Sequence, residues 1–232
     1  MASILWLKLK LKLAKLFIRP KVNDVVSRYL NGFNELNLDV DLKDTRIVCV
    51  DIETTGLDVK KCEIVSIGAI GIKNLDVDLN DSLFVLVKSG NVTEESIKIH
   101  KITPDLLVDA YELTDALKEF LSFVGKDIIC TFSLFDYLVL DRDLKKCFNV
   151  PLLNPVIDVQ RLGKKLLSII HPYYHYLMDV SAMSLEELAR RLEIPIIARH
   201  TSLGDAFTTS LILLSIVKKN EIKTLKELYR LS

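Results

Sequence analysis

The chain has 232 residues, half of them hydrophobic and 27% charged, with zero formal net charge, which reads as an ordinary globular protein with a sizeable core. Residues 1–22 carry Lys8, Lys10, Lys12, Lys15, Arg19 and Lys21 and no acid, so the rest of the chain is −6. An acidic body argues against broad nucleic-acid binding by charge alone, and suits an enzyme that uses metal ions to screen phosphates.

Met1 to Ile18 reads M-A-S-I-L-W-L-K-L-K-L-K-L-A-K-L-F-I. Its leucines and lysines alternate as in a strand, yet Lys8, Lys12, Lys15 and Arg19 also form a basic stripe at helical spacing. Length and Leu and Lys propensity favour a helix ended by Pro20. A membrane-surface helix, a partner-docking helix and a phosphate-contacting arm are the functional readings. Leucines packed on the body or on a second copy are the plainer and preferred one. The lysines break up any signal-peptide core, and no uncharged apolar run approaches the roughly 18 residues of a spanning helix. A cytoplasmic protein is expected. Val22 to Phe33 predicts a second short helix, and Asn34 to Asp44 a polar linker. The division expected is an extension over residues 1–45 and a domain over 46–232.

Arg46 to Glu53 predicts the first strand, followed by strands at Glu63 to Ile72 and Ser82 to Lys88 in an antiparallel meander. Helices are predicted over Thr93 to Ile99, Pro104 to Ala110 (capped by Thr103) and Leu113 to Val124. A strand at Asp127 to Phe132 leads into a helix over Leu134 to Phe148. Val156 and Ile157 form a small strand before a helix over Val159 to Ile170. Ser184 and Glu187 predict a capping box for a helix to Leu192. Long and short helices follow over about Leu203 to Lys219 and Thr224 to Leu231. Strands first, then strands alternating with helices, give an α/β mixed sheet covered by helices. Cys49, Cys62, Cys130 and Cys147 lie far apart and read as reduced thiols, three of them in apolar stretches.

Two acids stand at the end of the first strand in V-C-V-D-I-E-T-T-G-L. Asp51 and Glu53, two apart, project from one face of a strand with apolar neighbours. Like charges beside a core are costly unless a cation lies between them, and a divalent metal fits. The plainer reading ends the strand at Asp51 and leaves the acids solvated. Asp136 falls in the first turn of a helix, where the helix dipole alone would favour it. Asp205 falls three residues after Ser202, read as a cap, with His200 on the loop before it. Together Asp51, Glu53, Asp136 and Asp205 offer the oxygen ligands that suit Mg²⁺ or Mn²⁺. Two such ions about 3.5–4 Å apart can clamp a phosphodiester undergoing in-line displacement. A histidine can take the proton of the attacking water.

The order D-x-E-T-T-G-L, then F-D on a helix, then H-x-x-x-x-D-A resembles the DEDD-type 3′–5′ exonucleases with a histidine base, the epsilon proofreading subunits of bacterial replicative polymerases among them. The similarity spans roughly Arg46 to Val217. Supporting stretches are I-H-K-I-T-P-D-L-L, V-I-D-V-Q-R-L and S-L-E-E-L-A-R-R-L-E-I. The resemblance implies a ribonuclease H-like fold, two metals on the four acids, His200 as general base, and Thr54 and Leu57 against the terminal nucleotide. It implies release of nucleoside monophosphates from a single-stranded or frayed 3′ end, of DNA in the first place and RNA in the second. Residues 1–20, outside the resemblance, are the expected contact for a DNA polymerase subunit or for self-association, ahead of a membrane surface. The rival expectation is a non-catalytic docking module of the same fold. The family often carries His-Asn five and four residues before the second-motif aspartate; here Thr131 and Phe132 stand there. His100 is expected to be structural or at the substrate edge. His171 and His175 lie in a loop whose Tyr173, Tyr174 and Tyr176 either stack on bases or pack on the body.

Overall fold

The computed structural model describes residues 24–33, 38–170 and 183–232. The Lys/Leu stretch, Pro20, His171, His175 and the three tyrosines beside them lie outside the described residues.

Strand β1, Ile47–Thr54, is the axis of the molecule. It pairs antiparallel with β2 (Ile64–Lys73) and parallel with β4 (Ile128–Thr131); β3 (Asp76–Leu86) and β5 (Val156–Asp158) are the edges. The order is β3-β2-β1-β4-β5. The first three strands are the predicted meander. Beyond them the connections run through helices, which parallel pairing requires.

Alternation along β1 sends Val48, Val50 and Ile52 to one face and Ile47 and Cys49 to the other. On the first face they meet α1 (Asp24–Gly32), α3 (Leu113–Val124) and α4 (Leu134–Phe148), around the fully buried Phe120, Leu117, Leu140 and Leu144. On the second they meet α5 (Val159–Ile170), α6 (Leu185–Leu192), α7 (Ser202–Lys219) and α8 (Leu225–Leu231). Helix α2 (Glu94–His100) opens with a capping box between Thr93 and Ser96. The fold class is as expected, an α/β mixed sheet with helices on both faces.

Local details differ from expectation. Strand β3 begins at Asp76, six residues before the expected Ser82. Its polar first half reads as a turn, but at a sheet edge Asp81 is held by Arg46 (2.7 Å) and Lys73 (3.0 Å). Pro104–Leu107 is a single 3-10 turn, and Thr103 makes no side-chain cap bond to it. At α6 the Ser184 hydroxyl accepts from the Glu187 N–H, but Glu187 turns to Arg190 and Arg191, so the capping box is half formed. The stretch read as a linker is partly structured: Leu38 and Leu42 are buried, and the Leu42 N–H bonds to the Lys223 carbonyl at 2.9 Å.

Candidate active site

Asp51 and Glu53 continue the row of Ile47 and Cys49 past the end of the second core. They therefore emerge at the C-terminal end of the central strand, on the side that α7 covers. Two features bring α7 there. Gly68 pairs with Asp51 across the sheet, and a Cβ on it would lie 2.3 Å from the Leu203 nitrogen. The first turn of α7 thus sits directly on β2, where only a glycine fits. The Ser66 and Ser202 hydroxyls bond at 2.9 Å beside this contact.

Thr201, not Ser202, caps α7, its hydroxyl accepting from the Gly204 N–H at 3.2 Å. Ser202 is inside the helix because its hydroxyl serves Ser66 instead. Asp205 is consequently one position deeper than predicted, at N4, and almost fully buried. The preceding loop folds tightly over Gly204, where a Cβ would meet the Ala198 carbonyl at 2.2 Å. Ala198 and His200 both take positive φ (50° and 62°) to make that fold. The His200 N–H donates to Asp205 Oδ2 at 3.3 Å, so the histidine's backbone is tied to the acid.

Asp136 arrives from the other face of the sheet. Ser133 caps α4, and Asp136 in the first turn accepts the Ile52 N–H at 3.2 Å. Asp51, Glu53, Asp136 and Asp205 all face one open cavity of about 610 Å³, together with His200, Thr54 and Leu57. Carboxylate oxygens of Asp51, Glu53 and Asp205 lie within 4.8 Å of one another. Asp136 stands beside this group rather than within it. The Thr54 hydroxyl donates to the Gly56 carbonyl (2.7 Å), and Leu57, 88% exposed, forms the lip.

The electrostatics follow from crowding acids beside a core. Burial and then Asp205 push Glu53 up to about 7. Burial lifts Asp136 to about 7 in spite of the Ile52 N–H. Burial, then the Asp136, Asp205 and Glu53 charges, hold Asp51 well above the usual carboxylate range. Asp205 is raised by burial and restrained by Arg199. Arg199 went unremarked in the sequence. It lines the cavity, pairs with Asp205, and is held from behind by Glu186 at 2.5 Å. Its only signal in the sequence was a basic residue next to the loop histidine. Burial works against the ionised form of Glu186, but bonds from Arg199 and Ser184 prevail and bring it down to about 2.

The residues suit a divalent cation. The donors are hard carboxylate oxygens, and Asp205 Oδ1 is buried with no hydrogen-bond partner. Where the His-Asn pair was absent, Thr131 is buried with an unpartnered hydroxyl, and Phe132 faces the cavity and packs on the second core. His100 also lines the cavity. It is buried, with Nδ1 accepting the Ile102 N–H at 3.0 Å and Nε2 unpartnered.

Residues 48–213 match the RNase T family, described as exonucleases. The chain belongs to this exonuclease family. It is similar to the PolC-type DNA polymerase III of Thermotoga petrophila, 31% identical over 203 residues, which are 83% of this chain and 14% of that protein. The same protein of Staphylococcus aureus is 27% identical over 182 residues, 78% of this chain and 12% of that one. The chain thus spans about a seventh or less of these curated relatives. Among solved structures it is similar to cell-death related nuclease 4, with a TM-score of 0.65 at 15% identity, covering 78% of this chain and 66% of that one. It is likewise similar to E. coli exonuclease I in complex with a dT13 oligonucleotide (TM-score 0.63, 16% identity, 76% and 42% covered). The nuclease domain of 3′hExo, a DEDDh family member bound to rAMP, gives 0.59 at 16% identity, with 78% and 95% covered. These likenesses show the ribonuclease H-like fold, and the family match makes this chain an exonuclease domain.

Proposed function

We propose that this exonuclease domain hydrolyses the terminal phosphodiester at a single-stranded or frayed 3′ end of DNA, releasing nucleoside monophosphates. The observation that carries this is the meeting of Asp51, Glu53 and Asp205 within 4.8 Å at a cavity shared with Asp136 and His200. Asp51, Glu53, Asp136 and Asp205 hold two divalent cations, Mg²⁺ or Mn²⁺. Such ions, when bound, supply the positive charge that a reacting phosphate and its attacking water need.

The chain's own residues do the rest. Thr54 and Leu57 seat the terminal nucleotide, and Phe132 and Phe135 offer apolar surface further along the cavity. His200 takes a proton from the attacking water as its oxygen bonds to phosphorus. The bond to the neighbouring nucleotide's 3′-oxygen breaks, and that oxygen is protonated in turn. The PolC-type relatives support a place beside a DNA polymerase, and the dT13-bound neighbour supports a single strand. The rAMP-bound neighbour supports RNA as a second substrate. Three buried free thiols, Cys49, Cys62 and Cys130, go with a reducing, cytoplasmic setting. Residues 1–45 are an extension to the domain at 46–232, one that contributes Val26, Tyr29, Phe33, Leu38 and Leu42 to its cores.

Labelled DNA and RNA oligomers, single-stranded and mismatched, test this with Mg²⁺ and Mn²⁺. Asp51→Ala and Asp205→Ala should abolish digestion while leaving a cooperative thermal transition. His200→Ala should lower kcat by about 10²–10⁴ and spare Mn²⁺ binding. Normal digestion by either aspartate variant overturns the assignment.

A further inference from the structure

The long loop from Thr54 to Cys62 has two halves. Thr54, Thr55, Gly56 and Leu57 wall the acidic cavity, while Lys60, Lys61 and Cys62 wall a second, smaller hollow of about 310 Å³. Helix α4 is divided the same way. Phe135 and Asp136 face the first cavity; Arg142, Asp143 and Lys146 face the second. The two hollows therefore share both walls. Ten residues separate Asp136 from Lys146, about 15 Å along the helix.

The second hollow is basic in an acidic body. Lys60, Lys61, Lys88, Arg142 and Lys146 line it against Glu63 and Asp143. Arg142 is committed: it pairs with Asp143 at 2.7 Å and donates to the Val59 carbonyl, which fixes the loop to the helix. Glu63 is likewise taken up by Ser89 and Asn91. Lys88 reaches Glu112 at 2.9 Å, and Lys61 only grazes Asp58 at 3.9 Å. Lys60 and Lys146 make no ion pair among the described residues. Lys60, Lys61, Lys88 and Lys146 are exposed, and for Lys60 and Lys146 no ion pair among the described residues accounts for their place at the hollow.

We propose that this hollow is a phosphate-backbone groove for the single strand whose 3′ end occupies the acidic cavity. The ammonium groups hold phosphates a few nucleotides upstream, by charge and without reading bases. The groove also answers an electrostatic difficulty. A polyanion approaching four acids needs a cationic foothold nearby, and this one lies one loop away. The inference rests on the nucleic-acid reading of the active site, and binding can be measured apart from hydrolysis.

The test is fluorescence anisotropy of a labelled single-stranded DNA 15-mer with the full chain in EDTA, over a salt series. The triple variant Lys60→Ala/Lys61→Ala/Lys146→Ala should bind at least tenfold more weakly at low salt. Its slope of log K against log salt should shrink by about 2, near 0.7 per lysine. Replacing all three by arginine should restore the slope. Lys218→Ala/Lys219→Ala/Lys223→Ala, on a different surface, is the control for general charge. An unchanged slope in the first variant, or an equal fall in the control, overturns the groove. With Mg²⁺ present, hydrolysis of thymidine 5′-p-nitrophenyl phosphate, too short to reach the groove, should be equal in the first variant and the unmodified chain. Absence of hydrolysis of any substrate by the unmodified chain would strike the exonuclease proposal instead, leaving the anisotropy result to decide the groove.

Discussion

At the level of single residues, the cavity's acids and the neighbouring Arg199 bear on the protein's response to pH. Glu53 and Asp136 stand at about 7 in the folded chain, and Asp51 and Asp205 are also raised. In an unfolded chain such groups titrate near 4. The folded state therefore binds more protons between these values. The stability that these acids contribute is complete below about pH 4 and is lost as pH rises through about 7. Glu186, Glu63 and Asp81 shift downward and act in the opposite sense, but in a more acidic range. In EDTA, Tm should fall between pH 5 and pH 8, and Mn²⁺ should remove most of that fall, because metal binding requires the deprotonated acids. Calorimetry showing a flat or rising metal-free Tm over this range contradicts the account. Arg199 now supplies part of the missing positive charge. Arg199→Met should lower the metal-free Tm at pH 8, by roughly 2–4 °C for each kcal/mol lost, and lower it less with Mn²⁺. The variant matching the unmodified chain in EDTA would show that the guanidinium does not hold the acids together.

Among the elements, the contact between α7 and β2 has the most demanding geometry. Gly68→Ala places a methyl group against backbone, at 2.3 Å from the Leu203 nitrogen, where no side chain can swing aside. The start of α7 must shift, carrying Asp205 and the His200 loop with it. A cost of about 1–3 kcal/mol is expected, with a loss of hydrolysis larger than the loss of folded protein. Circular dichroism and oligonucleotide digestion on the same sample separate the two. Ala at Gly90, where a Cβ meets nothing within 4 Å, is the control. The elements also show where sequence was readable. Strand β1 and helices α3, α4 and α5 were legible because their apolar spacing repeats. The early start of β3 was not, since its carboxylates look like turn residues until Arg46 and Lys73 are seen beside Asp81. Thr201 and Ser202 are adjacent and chemically alike. Only the proximity of Ser66 decides which of them caps the helix. For the candidate site, the motif order pointed to the four acids, His200, Thr54 and Leu57, which the structure brings to one cavity. It could not supply Arg199, whose role depends on Glu186 arriving from another helix.

For the whole molecule, the sheet separates two cores, and the acids stand where both end. Helix α1 belongs to the first core although it lies ahead of the family match: Val26, Tyr29 and Phe33 are buried there. The Tyr29 hydroxyl donates to Asn154 Oδ1 and accepts the Leu153 N–H, both at 2.7 Å. Tyr29→Phe leaves that N–H and the Asn154 oxygen without their partner. It should cost about 1–3 kcal/mol of stability, read by urea titration, with oligonucleotide digestion at 25 °C unchanged. A variant as stable as the parent would mean that water replaces the hydroxyl. No helix among the described residues is long and apolar enough to cross a membrane.

The seat of α7 on Gly68 also bears on timing. Ser66 and Ser202, which meet beside that glycine, are 136 positions apart. During synthesis the strand carrying Asp51 and Glu53 leaves the ribosome long before the helix that brings Asp205. A nascent chain therefore lacks the third carboxylate of the Asp51, Glu53 and Asp205 cluster until α7 has emerged. The cluster closes only when the late helix lands on β2 at Gly68 and brings Asp205 to it.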